Sequence, residues 1–251
     1  IKDRKSALEN HGLREAIKRI CTEKPWWGYR RVRAWLVRRE GFEVGRKKVY
    51  RIMKELGLLQ PKRKKKPRVR QTRSKPRPNR PCQKWGIDMF KFMIDKLGWC
   101  YAVLVMDWYT REIRGWSIGT RAKTGLWLEA IEKAVRTLPE GARGYNLKLV
   151  SDNGSQPTSR SFMERCQLLG IEQIFTTYEN PRGNAETERL IRTIKKDFIW
   201  IENFETLEQA KEKFERYVTW YNRDYPHMAL GYMSPAEFAR EYAAGMKNLA
   251  A

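Results

Sequence analysis

Cysteine and histidine are scarce in this 251-residue chain, at four and two residues. Cys21, Cys82, Cys100 and Cys166 form no Cys-x-x-Cys pair, and His11 and His227 stand far from all of them in sequence. Zinc-finger spacing is therefore absent. The plain expectation is single buried or half-buried thiols in a reducing cytoplasm, not a disulfide framework. No window approaches the ~20 apolar residues of a spanning helix, so a membrane surface is the less favoured reading of the basic charge. A signal-peptide pattern is also missing, and Ile1 in place of Met suggests a chain whose beginning is absent.

Acid is missing from one part of the chain only. Residues 1–80 hold 28 Lys and Arg against 7 Asp and Glu, whereas residues 81–251 hold 24 against 22. The net charge of +23 is thus almost wholly an N-terminal property. Such asymmetry points to one part that grips a polyanion, DNA or RNA, and another that is an ordinary globular domain.

Helical periodicity marks Leu13 to Cys21, then Gly28 to Arg39 with Val32, Trp35 and Leu36 inward, then Arg46 to Leu56 before Gly57. The last stretch buries Val49, Ile52, Met53 and Leu56 and turns Arg46, Lys47, Tyr50, Arg51 and Lys54 outward. A helix, a tight turn and a helix with a basic outer face form the helix-turn-helix pattern, whose second helix enters the major groove. A charged solvated face is the bland alternative. DNA contact is favoured because basic residues, including Arg30 and Arg31, predominate over acids here. Residues 62–80 follow with eleven basic residues and no acid. Pro67, Pro76 and Pro78 keep this segment extended, so Lys62, Arg63, Lys64, Lys65 and Lys66 are expected to track a phosphate backbone.

From Pro81 the pattern changes. Strands are expected at Lys84 to Met93, Gly98 to Met106 and Glu112 to Ile118, joined by short turns as an antiparallel meander. A helix from Leu126 to Leu138, a strand from Asn146 to Ser151, a helix from Ser159 to Leu169 and a strand from Ile171 to Thr176 come next. A helix from about Asn184 to Phe198 and a last one from Leu207 to Tyr221 complete the reading. The expected class is α/β, a mixed five-stranded sheet flanked by helices and preceded by a small all-α domain. The expected divisions are 1–60, a linker 61–80, and 81–245.

Three acids stand out within that frame. Asp88 lies in the first strand, Asp152 ends the fourth, and Glu188 follows Asp152 after 35 intervening residues. If the fourth strand pairs beside the first, the two aspartates are neighbours, and a helix across the edge adds the glutamate. Carboxylates are hard oxygen ligands, and such a trio can hold two Mg²⁺ ions for in-line phosphodiester displacement. Glu186 is the rival, but a step of two turns a side chain roughly 200° around a helix. Arg192 and Lys195, at i+4 and i+7 from Glu188, favour Glu188 and are positioned to hold phosphate. Glu186 then reads as a surface acid near a helix N-terminus, Asp107 as a turn or hydrogen-bonding residue, and Gly154 as a tight-turn glycine. Gln156 is a weak candidate DNA contact. Trp220 and Tyr221 are expected to brace the core, and His227 to contact DNA or cap a loop.

The strings Trp85-x-x-Asp88, Tyr101 to Asp107 with Arg111 and Gly115-Trp116, Ser151-Asp152-Asn153-Gly154, Gly183-Asn184-Ala185 with Glu188-Arg189, and Trp220-Tyr221-Asn222 with His227 resemble the DDE transposase and retroviral-integrase superfamily. Trp27-Gly28-Tyr29-Arg30-Arg31 and Val49 to Leu58 resemble, more narrowly, the helix-turn-helix of bacterial IS-three family insertion-sequence transposases. The resemblance implies an RNase H-like core with Asp88, Asp152 and Glu188 as catalytic and metal-binding residues. It also implies Mg²⁺ or Mn²⁺, two ions per site, and cleavage and strand transfer at element ends by a copy-out, paste-in route. The implied partners are double-stranded DNA, as terminal inverted repeats and target, and further copies of the chain, at least a dimer. The implied setting is the bacterial cytoplasm, at the nucleoid. Two other readings stay open: an architectural DNA-binding protein descended from a transposase, and a simple RNase H-type nuclease.

Overall fold

The computed structural model describes residues 2–61, 77–176 and 183–250. The linker cations Lys62 to Lys66 fall outside these residues. The chain divides into two compact units, Ile1–Ser74 with Pro226–Met233, and Lys75–Tyr225 with Ser234–Ala251. This differs from the expected divisions, because Pro226–Met233 groups with the first unit. That segment closes on itself: the His227 carbonyl accepts from the Leu230 and Tyr232 amides, and the His227 amide donates to Met233.

The first unit is built on three helices, α1 (Lys2–Glu23), α2 (Tyr29–Arg38) and α3 (Arg46–Glu55). The first starts well before Leu13, where its apolar stripe begins. The three helices pack on one another, and Leu13, Ile17 and Ile20 of α1, Val32 and Leu36 of α2 and Val49, Ile52 and Met53 of α3 are all buried. Trp35 is only half-buried, its indole donating to Glu40 at 2.9 Å, and Ala34 takes the inward position beside it. Two ion pairs tie the helices across the surface, Arg14 to Glu55 at 2.7 Å and Arg19 to Glu40 at 2.8 Å.

The second unit is a five-stranded sheet in the order β3-β2-β1-β4-β5, formed by Lys84–Ile94 (β1), Gly98–Asp107 (β2), Ile113–Gly119 (β3), Lys148–Ser151 (β4) and Glu172–Phe175 (β5). The first three strands are antiparallel neighbours, and β4 and β5 add in parallel on the other side of β1. The expected meander and the pairing of the fourth strand beside the first are both present. Strand β2 is buried from Ala102 to Asp107 without alternation, as a strand covered on both faces must be.

One cover is α4 (Thr124–Val135), which packs on β2 and β3 and also against α6 (Arg160–Leu169). Trp127 meets Phe162 edge-on there, over Trp85, Ile87, Val103 and Val105. Between α4 and β4 lies a single turn, α5 (Gly141–Gly144), which the sequence reading did not foresee. The other cover comprises α7 (Ala185–Ile194), which packs on β1, and α8 (Leu207–Asp224), which packs on β3. Phe198, Phe204, Phe214 and Tyr217 form an aromatic cluster with ring centroids 4.8 to 6.4 Å apart, reaching Phe92 and Trp116 of the sheet.

Two expectations about the C-terminal helices are corrected. The helix from Asn184 to Phe198 is not uniform: after Ile194 it widens into a π-helical turn, Lys195–Ile199. The helix ending near Tyr221 is also not the last, since α9 (Pro235–Ala250) follows and packs on α8. Ser234 begins it, bonding the Glu237 amide through its hydroxyl while Glu237 accepts from the Ser234 amide. This Ser-x-x-Glu capping box was legible in the sequence.

Candidate active site and nucleic-acid interface

Register brings the two aspartates together. Strands β1 and β4 pair as Lys84 with Lys148, Trp85 with Leu149 and Gly86 with Val150. Asp88 and Asp152 each lie two residues beyond that last pair, at the same level on neighbouring parallel strands. Period-two alternation turns both to the face where Gly86 and Val150 point. Asp152 ends its strand and is exposed, and its carboxylate accepts from the Gly154 amide at 3.1 Å. A Cβ on Gly154 would stand 3.1 Å from the same carboxylate oxygen, tight enough that the Asp152 side chain would have to give by a few tenths of an ångström, and the φ of Gly154 is not positive, so the tight-turn reading does not require a glycine here.

The third acid arrives on α7, and docking of that helix depends on a missing side chain. A Cβ on Gly86 would collide with the Thr187 hydroxyl, the Trp108 indole nitrogen and the Asn184 amide oxygen. In its absence, Trp108 donates to Thr187 at 3.0 Å and Asn184 donates to the Ile87 carbonyl at 3.1 Å. Thr187 and Asn184 are buried, while Glu188 and Arg192 face solvent along the free side of the helix. Lys195 follows at the start of the π-helical turn, with its ammonium 5.5 Å from the centre of the Phe90 ring.

Electrostatics join these residues into one site. Burial first, and repulsion from Asp152 and Glu188 after it, raise the Asp88 carboxyl to about 7, against the opposing effects of the Met89 amide and Lys195. The Met89 amide donates to Asp88 at 2.7 Å. Among the described residues, no three His, Cys, Asp or Glu side chains stand gathered as a ready-made metal cage. Both aspartates are instead turned onto backbone amides. The donor set itself consists only of carboxylate oxygens, which suits a hard divalent cation.

Other acids have structural work. Asp107 is fully buried and accepts from the amides of Cys82 and Tyr109, each at 2.7 Å, and of Thr110 at 3.3 Å. Burial raises its pKa against the lowering effect of those donors. It is a turn residue, as expected. Glu186 is not a loose surface acid: it pairs with Arg111 at 2.6 Å and Arg189 at 3.5 Å. Gln156 donates to the Ala122 carbonyl at 3.1 Å, which accounts for it without DNA. Asn222 both donates to and accepts from the backbone of Ile113 at 2.9 Å, tying α8 to β3. Tyr221 is buried and stacks on Tyr225 at 4.9 Å, whereas Trp220 is only half-buried. All four cysteines are free and buried.

In the first unit, Arg46, Lys47, Tyr50, Arg51 and Lys54 share one concavity of about 560 Å³ with Tyr29. Tyr29 meets Tyr50 edge-on at 5.2 Å, and Arg30 donates to the Tyr29 hydroxyl at 3.2 Å. Arg31 differs from these exposed cations, being half-buried with its guanidinium 5.6 Å from the centre of the Trp27 ring. Among the described residues, no helix is long and apolar enough to cross a membrane.

Both parts of the chain are similar to known families. Residues 7–66 match the HTH-like domain, and residues 78–181 and 169–235 match two models of the integrase core domain. The transposase InsD for insertion element IS2A/D/F/H/I/K of Escherichia coli is 29% identical over 241 residues, covering 90% of this chain and 78% of that protein. InsD for insertion element IS2-9 of E. coli strain K12 gives the same identity, with 90% and 76% covered. The simian T-cell lymphotropic virus intasome, solved with a PP2A regulatory subunit, aligns with TM-score 0.56 at 14% identity, covering 89% of this chain and 74% of that one. The HTLV-2 integrase catalytic core, solved with magnesium, aligns with TM-score 0.50 at 14% identity, covering 65% and 99%. At such identities the likeness is one of fold. The mixed sheet with its flanking helices is the integrase catalytic core fold, and residues 78–235 are similar to integrase core domains as residues 7–66 are to an HTH-like domain.

Proposed function

We propose that the protein is a DNA transposase of the DDE type that cleaves the ends of an insertion sequence and joins them to DNA, with Asp88, Asp152 and Glu188 as its catalytic residues. The observation that carries this reading is the level placement of Asp88 and Asp152 on paired strands, with Asp88 under the repulsion of both other acids. An architectural protein has no use for two aspartates held level on paired strands with a third acid near enough to repel one of them, and a simple nuclease none for the basic helical unit.

Asp88, Asp152 and Glu188 would hold Mg²⁺ or Mn²⁺, two ions per site, which when bound stabilise charge on the attacking and leaving oxygens. The chain's own part is to hold and align. Half-burial on β1 shields the Asp88 carboxylate from bulk water, which strengthens its attraction for a cation. Arg192 and Lys195, beyond Glu188 on α7 and the turn after it, offer cations to the phosphate being cut or to an adjoining strand. Water is the attacking group in cleavage and a 3′-hydroxyl in joining, so the same alignment serves both reactions. No side chain is needed as nucleophile.

Arg30, Arg31, Arg46, Lys47, Tyr50, Arg51 and Lys54 of the helical unit, with Lys62 to Lys66 of the linker, would bind the duplex, the helix-turn-helix reading terminal repeats. Two ends must be bridged for transposition, which calls for at least a dimer on DNA. The IS-three lineage, the copy-out, paste-in route and a place at the bacterial nucleoid belong to the same proposal.

The test incubates labelled element-end DNA with protein and Mg²⁺ and resolves nicked and joined products. Asp152→Asn or Glu188→Gln should lower both products by about 10³-fold or more, with DNA affinity changed less than about threefold. Full activity in either variant removes the assignment.

A further inference from the structure

The turn between β2 and β3 does more than reverse the chain. Asp107, fully buried, gathers the amides of Tyr109 and Thr110, and its carbonyl accepts from Arg111 at 2.9 Å. This folding forces Arg111 into the left-handed region at φ 67°, a conformation unusual for a residue with a Cβ. The turn then delivers two side chains to one turn of α7. Trp108 donates to Thr187, and Arg111 pairs with Glu186 at 2.6 Å with side chains only 13% and 27% exposed. The two recipients are the residues immediately before Glu188.

We infer that Arg111 and Glu186 form a positioning latch that fixes the first turn of α7, and with it Glu188, against the sheet. The inference rests on the catalytic reading of Glu188 given above. A helix's first turn lacks intrahelical acceptors for its amides and frays most readily. Asn184 anchors one end of this turn to the Ile87 carbonyl, and Thr187 anchors its inner face. The Glu188 side chain is exposed, and its amide donates to the Asn184 carbonyl at 3.1 Å, so its backbone is held through the first turn of the helix. Glu186, roughly 200° around the helix from Glu188, is well placed to restrain it without competing for a cation. A half-buried, charge-assisted pair at 2.6 Å is stronger than an exposed one. Partners that orient a metal-binding residue commonly change activity 10- to 100-fold when removed.

The test is a cycle of Arg111→Gln, Glu186→Gln and the double variant. Two readouts are taken: hydrogen exchange of the 185–194 amides in chelator, and Mg²⁺-dependent cleavage with the Mg²⁺ concentration for half-activity. Each single variant should speed exchange in α7 about tenfold or more while leaving α8 unchanged. Cleavage should fall about 10-fold or more with a higher Mg²⁺ requirement, and the double variant should be no worse than the more affected single. Unchanged α7 exchange in Glu186→Gln, or losses that add in the double variant, overturns the latch. An Asp152→Asn control separates the two ideas. Cleavage surviving in that control rejects the catalytic reading, whereas an inactive control beside fully active latch variants rejects only the latch.

Discussion

The exposed face of α3 and the exposed face of α7 are both polar helix surfaces, yet they are built in opposite ways. On α3, Arg46, Lys47, Arg51 and Lys54 stand in solvent with Tyr50 around one concavity, the four cations interchangeable in charge and set by the helix alone. On α7, Glu188 depends on Gly86, Trp108, Thr187, Asn184 and Arg111 to stand where it does. The contrast teaches where precision is needed. Affinity for a polyanion is a sum over many charges and tolerates the loss of any one. Chemistry at a phosphate tolerates almost no displacement, and about 1 Å can cost 10²-fold.

The largest break in this contrast should come from one methyl group. Gly86→Ala is expected to push α7 from β1, destabilising the protein by about 1–3 kcal/mol and lowering cleavage at least about 10-fold. DNA binding by the helical unit should be unaffected. Thermal melts, cleavage assays and DNA titrations on the one variant check all three. Cleavage at the wild-type rate would mean that the fit at Gly86 does not govern Glu188.

Neutralising Lys62 to Lys66 should act in the complementary way. Affinity should fall with cleavage at saturating DNA preserved, and the slope of log affinity against log salt should flatten by up to about 4. An unchanged slope would show that these residues lie off the DNA.

A smaller effect follows from Asp88. Its pKa, raised by burial and by Asp152 and Glu188 to about 7 from an ordinary 3.8, makes protonation favour the folded state. That contribution is fully present below about pH 3.8 and lost as pH rises through about 7. Melting temperatures measured in chelator should therefore include a decline across this window that Asp88→Asn removes. A variant with the same pH profile as wild type would show that Asp88 is not the group responsible.

The same contrast explains what could be read before any coordinates. The α3 face was legible because it depends on helical period and composition, both local. The sheet was legible through turn spacing, and the adjacency of Asp88 and Asp152 through strand order. The supports of α7 were not legible. Arg111 and Glu186 are 75 residues apart in sequence, and nothing in either string announces a pair. Gly86 looks like any strand glycine until Thr187 and Trp108 fill the space of its missing Cβ. The π-helical turn at Lys195–Ile199 also escaped a fixed 3.6-residue period. Helix α9 was missed although its Ser234-Pro235-x-Glu237 start carries a capping signal.

The central claim is that Asp88, Asp152 and Glu188 act as one cation-binding group. Mn²⁺ titration followed by electron paramagnetic resonance, on wild type and on Asp88→Asn, Asp152→Asn and Glu188→Gln, tests it without any DNA substrate. The account predicts saturable Mn²⁺ binding in wild type that each substitution weakens about 10-fold or more, Mg²⁺ competing for the same site. Binding equal in wild type and all three variants would contradict it.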